Sequence, residues 1–238
     1  MAHISRRELK SDEFRDTMEH GLETLATHKR TIWLVSALVV LAALAIFGWR
    51  YYSSHQNAQA SAAFAQAMRV YNIPVQTSGQ PPMPGQQSYA SDAVKYAAVQ
   101  KEMGAVAMRF PHTRYGQMAR YYAAVSLDRL GRYQDAVNWL LPMTKGNGQM
   151  QALAKRELAH VYDRMGKPAL ALPLLVQLLA KPSVFVPKPV VLLALGDHYR
   201  AQNQAQQAAK YYQQLKTEFP NTGLADQASQ RLEMLGKS

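Results

Sequence analysis

The sequence predicts an all-α protein: a single N-terminal transmembrane helix, then a solenoid of about four helix pairs closed by a capping helix. Three observations predict it. The eighteen residues from Ile32 to Trp49 carry no charge. Beyond them, stretches of helical periodicity alternate with short breaks, and no convincing period-two pattern appears. One set of small and large residues then recurs at a spacing of about 35.

Composition narrows the chemistry. The chain has 238 residues and no cysteine, which excludes a disulfide scaffold, a thiolate zinc site, an iron–sulfur cluster and a cysteine nucleophile. The net charge is +11 and unevenly spread. Residues 1–30 carry six basic and six acidic groups, so the remaining 208 residues hold all of it. A basic domain invites anionic partners.

Residues 1–30 are expected in the cytoplasm. Ser5-x-x-Glu8 can form a capping box, and Leu9, Phe14, Met18, Leu22 and Leu25 recur at near-helical spacing. The segment reads as an amphipathic helix that lies on the membrane or docks on a partner, and equally as a loosely structured tail. Residues 31–50 form the anchor. At about 1.5 Å per residue its apolar run covers roughly 27 Å, the depth of a hydrocarbon core. Ile32, Trp33, Phe47, Gly48, Trp49 and Arg50 mark its ends, with Lys29 and Arg30 before it and Tyr51 and Tyr52 after.

Six Lys/Arg precede this run, whereas only Arg50 and Arg69 follow it before Lys95. That bias puts the N-terminus inside and the bulk outside. Ala58-Gln59-Ala60 resembles a signal-peptide cleavage site. The long apolar core and the charge-balanced segment before it favour an uncleaved anchor.

Residues 51–238 are then the extracytoplasmic domain. A helix is expected over 55–71. Residues 72–89 hold four prolines and two glycines and form a loop. A second helix follows over 91–109. The stretch Lys181–Pro189 has some strand character, but its prolines demote it to a connection. Three later segments share one pattern of helix, break and helix. Ala124, Leu127, Gly131, Tyr133, Ala136 and Leu140 fill its places in the first. Ala159, Tyr162, Gly166, Pro168, Ala171 and Leu175 fill them in the second, and Gly196, Tyr199, Asn203, Ala205, Ala208 and Tyr212 in the third. The marker alanines Ala136, Ala171 and Ala208 lie 35 and 37 residues apart. With Leu195-Gly196-x-x-Tyr199 and Pro220, this period resembles the tetratricopeptide repeat.

Phe110-Pro111-His112-Thr113 and Phe219-Pro220-Asn221-Thr222 echo each other at an offset of 109. Each proline ends one pair and each threonine is a plausible N-cap. A degenerate repeat, 55–71 with 91–109, therefore precedes the three clear ones, and 222–235 caps the array.

Catalytic chemistry finds no foothold. None of the seven histidines has the spacing of a metalloprotease helix, and no P-loop, GxGxxG, GxSxG or EF-hand pattern occurs. Asp197 and His198 are adjacent on a helix, about 100° apart around its axis, so they form no dyad. His160 and His198 read as groove or packing residues. The expectation is no catalytic residue, no cofactor and no metal. Arg114-Tyr115 and Arg120-Tyr121-Tyr122 could serve phosphate and stacking contacts, but an extracytoplasmic domain would not meet nucleic acid.

The anchor exit Phe47-Gly48-Trp49-Arg50-Tyr51-Tyr52, the Gln/Ala-rich helix after it and the Phe-Pro-x-Thr boundaries together resemble the ancillary subunit of the Sec translocon. The repeat domain of that family is also grouped with cell-division coordinators. The resemblance spans about residues 20–238. It implies a single-pass protein of the bacterial inner membrane with a periplasmic repeat domain. Its implied partners are the translocon and a membrane-anchored chaperone, and its implied role is handing over emerging proteins. Two features depart from the family: the proline-rich insertion at 72–89, and a basic outer domain where many members are acidic.

Solenoids bind on the concave face built from first helices. Repeat geometry assigns to that groove Tyr121, Val125, Asp128 and Arg129, then Arg156, His160, Asp163 and Arg164, then Leu193, Asp197 and Arg200. Such a mixture suits an extended peptide or a partner helix. The same residues could be solvated faces, and the convex face or the insertion could dock instead. The function expected is a protein-binding scaffold. Its alternatives are a structural subunit of a large membrane complex, or a coordinator of envelope biogenesis or division.

Overall fold

Small residues decide how closely helices approach, and they recur in the cores between the described helices. A computed structural model describes residues 29–76, 87–146 and 149–236. The N-terminal amphipathic segment and the middle of the proline-rich loop lie outside those residues. Among the described residues the regular elements are helices, with no strand. They are α1 (Lys29–Asn72), α2 (Asp92–Arg109), α3 (Arg114–Arg129) and α4 (Tyr133–Leu140). A 3-10 turn (Leu141–Lys145) leads to α5 (Gln149–Arg164), α6 (Pro168–Ala180), α7 (Lys188–Ala201), α8 (Ala205–Glu218) and α9 (Gly223–Leu235).

The chain divides after His55 into two units. In the first, α1 is long and apolar enough to cross a membrane, and its apolar window is entirely unburied. Trp33, Phe47 and Trp49 all stand exposed, and a Cβ on Gly48 would meet nothing. Arg50 is exposed as well. Ile32 belongs to the same helix, but its side chain lies outside the described residues. Every face of this stretch is apolar, the pattern a lipid-facing helix requires. The sequence predicted an anchor and a separate helix over 55–71, whereas α1 runs through both for 44 residues. Nothing between Trp49 and His55 breaks a helix.

In the second unit, residues 56–72 of α1 share a hydrophobic core with α2. Ala60, Phe64 and Ala67 pack with Val99, Met103, Ala107 and Phe110 in a core that Tyr71, Tyr115 and Tyr122 border. Val75 and Tyr89 form an isolated parallel bridge. Gln76 N donates to Tyr89 O, and Tyr89 N to Pro74 O, both at 2.9 Å. The two ends of the proline-rich loop are thus tied together, which keeps α1 and α2 neighbours despite the insertion.

The repeat boundaries have a clear mechanism. Thr113 Oγ1 accepts from Gly116 N at 3.0 Å and donates to Phe110 O at 3.0 Å, capping α3 while fastening the preceding turn. That turn runs so close that a Cβ on Gly116 would lie 1.8 Å from Phe110 O. Thr222 repeats the device for α9, donating to Phe219 O and accepting from Ala225 N.

Within each clear pair the break is also one motif. Gly131, Gly166 and Asn203 adopt positive φ, at 73°, 68° and 58°. The next amide reaches back five residues: Arg132 N to Leu127 O, Lys167 N to Tyr162 O and Gln204 N to Tyr199 O. This is the Schellman ending, in which a left-handed residue satisfies the last carbonyls of the first helix. The sequence alignment of the three repeats put these same positions at the break.

Helix crossings follow. Ala124 and Ala159 are fully buried, and a Cβ on Gly196 would fall 2.2 Å from the Tyr212 ring. The absent side chain gives Tyr212 its place in the last core, beside Leu192, Ala208, Leu215 and Ala228. One element is shorter than expected. The repeat pattern calls for a full second helix here, yet α4 has eight residues. Pro142 has no N–H to continue the ladder, so the chain tightens into the 3-10 turn there.

Candidate functional site

The first helices of the three clear pairs line a cavity of about 650 Å³, α3 with its last turn, α5 from Arg156 onward and α7 from Val190 onward, and α9 adds a further wall. Nine residues of the sequence-predicted groove line it: Asp128, Arg129, Arg156, His160, Asp163, Arg164, Leu193, Asp197 and Arg200. Tyr121 and Val125 are not among its lining. Tyr121 instead packs beside the second core, and its hydroxyl accepts from Arg156 Nη2 at 3.3 Å. Tyr121 and Val125 precede the last turn of α3, and only that turn, with Asp128 and Arg129, reaches the cavity.

Contacts one repeat apart set the register of the wall. His198 Nδ1 lies 2.7 Å and 2.9 Å from the two Asp163 oxygens, 35 positions away in the chain. Tyr121 and Arg156 share that separation. Asp128, almost wholly buried, faces both His160 Nε2 and Arg164 Nη1 at 3.8 Å. Arg164 also donates to the Tyr133 hydroxyl at 2.6 Å and stacks on its ring. At the far end Asp197 accepts from Arg231 at 2.6 Å and from the Tyr212 hydroxyl at 2.8 Å. Arg200 stands 3.8 Å from it. Asp197 and His198 turn to different neighbours, as their angular separation on a helix requires.

Burial dominates the electrostatics. It raises the Glu157 carboxyl above its ordinary value, Asp128 adds to the rise, and Arg156 and His160 oppose it. Burial likewise pushes the Asp163 carboxyl up against the pull of His198. The Tyr121 hydroxyl is raised by burial and by Glu157. For Arg156 burial opposes the charge, but Tyr121 and Glu157 outweigh it and raise the group. Asp128 Oδ1 and Arg156 Nε are buried without a hydrogen-bond partner, an uncommon state for buried polar atoms.

Five arginines, four carboxylates and two histidines therefore share one wall. Leu175, Val190, Leu193, Ala194 and Leu224 supply its apolar part. This arrangement can hold a chain segment with both charged and apolar side chains; it has no nucleophile beside a base. No group of three or more acidic or histidine residues is placed to hold a metal among the described residues.

Sequence reasoning missed three kinds of lining residue, one of them Leu175 of the second helix α6. Glu157, Val190, Ala194 and His198 flank the chosen stripes on the same helices, and a wider stripe would have included them. Leu224, Gln227 and Arg231 come from α9, which was read as a cap only. Their i, i+3, i+7 spacing marks one face of a helix, the signal that could have found them.

No curated protein sequence matches the chain significantly. Among solved structures it is similar to nearly identical TPR-like repeats from a Podosopora anserina candidate kinesin light chain. The likeness has 14% identity and a TM-score of 0.56, covering 76% of this chain and 86% of that one. A second structure of those repeats gives 14% identity and a TM-score of 0.54, covering 76% and 87%. At this identity the likeness is one of fold. The family model described as the tetratricopeptide repeat-like domain matches residues 28–237, and the chain belongs to that family.

Proposed function

We propose that this protein is a membrane-tethered scaffold that binds polypeptide segments in the cavity between α3, α5, α7 and α9. Tetratricopeptide-like repeats are typically non-catalytic and bind other proteins. The observation that carries the reading is the wall itself, where five arginines and four carboxylates surround an apolar strip. An extended segment or a partner helix brings matching charges and apolar side chains, and solenoid faces take such ligands.

On this reading α1 anchors the chain in a bacterial inner membrane, with the N-terminus in the cytoplasm and the repeats in the periplasm. The Lys/Arg bias around the anchor supports that orientation. The anchor-exit motif and the Phe-Pro-x-Thr boundaries support a place beside the Sec translocon, where the cavity serves exported proteins and their chaperones.

In-cell photo-crosslinking from Arg129, His160 and Arg200, all cavity residues, tests this. Crosslinks to translocon subunits, a periplasmic chaperone or many exported proteins are expected. Crosslinks confined to one fixed, unrelated membrane complex would replace the reading with that of a structural subunit. Silence at all three positions, with a stable complex still purified, would remove binding from the cavity.

A further inference from the structure

Between Arg164 and Asp197 the chain contains no acidic residue, and its charged side chains are Lys167, Lys181 and Lys188. Helix α6 lies in the middle of this stretch, and Gln177 is its one polar residue. Ala171, Leu175 and Leu178 are its buried side, within the third core. Its outer side is apolar except for Gln177: Leu170 and Val176 remain 51% and 50% exposed, and Ala169, Pro173 and Ala180 are exposed with them. The other second helices differ. The exposed positions of α8 include Gln206, Gln207, Lys210 and Gln213, and those of α4 are Gln134 and Asn138.

The connection after α6 continues the pattern. Val184 is 88% exposed and Phe185 43%. A compact turn holds them there. Ser183 N donates to Val186 O at 3.0 Å and Val186 N donates to Ser183 Oγ at 3.1 Å, while Val186 itself is fully buried. One inward valine thus fixes two outward apolar neighbours. Lys167 and Lys181, at either end of α6, are exposed and make no ion pair among the described residues. Lys188 is neutralised by Glu218 at 2.6 Å.

We propose that the outer face of α6, with Val184 and Phe185, rests on the surface of an anionic bilayer. The apolar side chains enter the boundary between headgroups and acyl chains, and Lys167 and Lys181 meet lipid phosphates. Cationic ends, an apolar middle and an absence of carboxylates match that surface. A protein partner would call for a rim of donors and acceptors around an apolar centre; here the polar groups are lysines and Gln177, whose Oε1 already accepts from Lys155 Nζ at 3.0 Å. A tether makes such a contact effectively intramolecular, so a modest patch suffices. The proposal rests on α1 being a membrane anchor and is independent of what the cavity binds.

The full chain lacks cysteine, so single labels are simple to place. Val184→Cys, and Arg129→Cys on the cavity wall, would each carry an environment-sensitive fluorophore. The proteins are reconstituted in vesicles of phosphatidylethanolamine and phosphatidylglycerol containing a headgroup-level spin-labelled lipid. Blue-shifted, quenched emission is expected at 184 and not at 129. That quenching should be lost in pure phosphatidylcholine vesicles, in high salt and in the Lys167→Glu/Lys181→Glu double variant. The double variant with the same label also shows whether the fluorophore alone drives insertion. Equal emission at the two positions would overturn the proposal. So would shielding of 184 that appears only when solubilised membrane proteins are added, since the face would then belong to a protein. Failure of the full chain to float with the vesicles would overturn the anchor and this inference together, leaving the cavity reading intact.

Discussion

Asp163 and Leu170 stand seven residues apart on either side of the Gly166 turn, and their environments invert the usual rule. Asp163 is a carboxylate largely withdrawn from solvent and paired to His198 across a repeat. Leu170 is an apolar side chain left half exposed. The first belongs to the wall built by first helices, the second to the outer side of a second helix. Scattered exposed leucines are ordinary; buried charge and a contiguous apolar face are the informative departures. Their separation by one turn gives the solenoid two surfaces with different chemistry.

The largest test of this contrast concerns the seam between the two kinds of helix. Gly196→Val pushes a branched side chain into the Tyr212 ring, and overpacking of this kind costs about 3 kcal/mol. The full chain in detergent should melt at a clearly lower temperature, and an unchanged Tm would mean that the close approach of α7 and α8 is not needed. Next comes the wall. Asp163→Ala leaves the His198 Nδ1 group buried and unpaired, at a cost of about 2 kcal/mol, measurable by denaturant unfolding. A negligible loss would reduce the inter-repeat pair to a bystander.

Glu157→Gln should act with the opposite sign. Burial raises the Glu157 carboxyl, so the folded state binds its proton more tightly than the unfolded chain does. Stability is then highest below the ordinary carboxyl range near 4.5, and is lost as pH rises through the elevated folded value. The glutamine variant should be more stable at neutral pH and equal to the parent in acid. Unfolding curves across that range decide it, and a variant less stable at neutral pH would show that the Arg156 contact outweighs desolvation. The smallest effect is expected on the outer side. Leu170→Ser should change stability by less than about 0.5 kcal/mol, since little packs on that side chain. A loss comparable to that of Asp163→Ala would erase the distinction between the surfaces.

Much of this architecture was legible in the chain. Gly131, Gly166 and Asn203 announced the breaks, because a left-handed helix ending favours Gly or Asn. Thr113 and Thr222 announced the caps. What failed depended on neighbours distant in sequence. Tyr121 and Val125 share a helical stripe with Asp128, but only the last turn of α3 reaches the cavity, whereas α7 lines it from Val190 to Ala201. The share of the wall built by α9 depends on how the last helix packs against α7, which no local pattern encodes. The short α4, by contrast, has a local cause in Pro142, which cannot continue the ladder.

By itself the sequence determined the helical class, the repeat period, the turn positions and the apolar stretch at the N-terminus. All of these rest on local steric and hydrophobic rules that act within one or two helical turns. Only the tertiary structure decided which polar groups meet. The pairing of Asp163 with His198, the crowding of Asp128 between His160 and Arg164, and the closure of the cavity by Arg231 depend on the superhelical offset between repeats. That offset is a sum of small packing rotations at each helix crossing, and it brings side chains 35 residues apart to within hydrogen-bond distance.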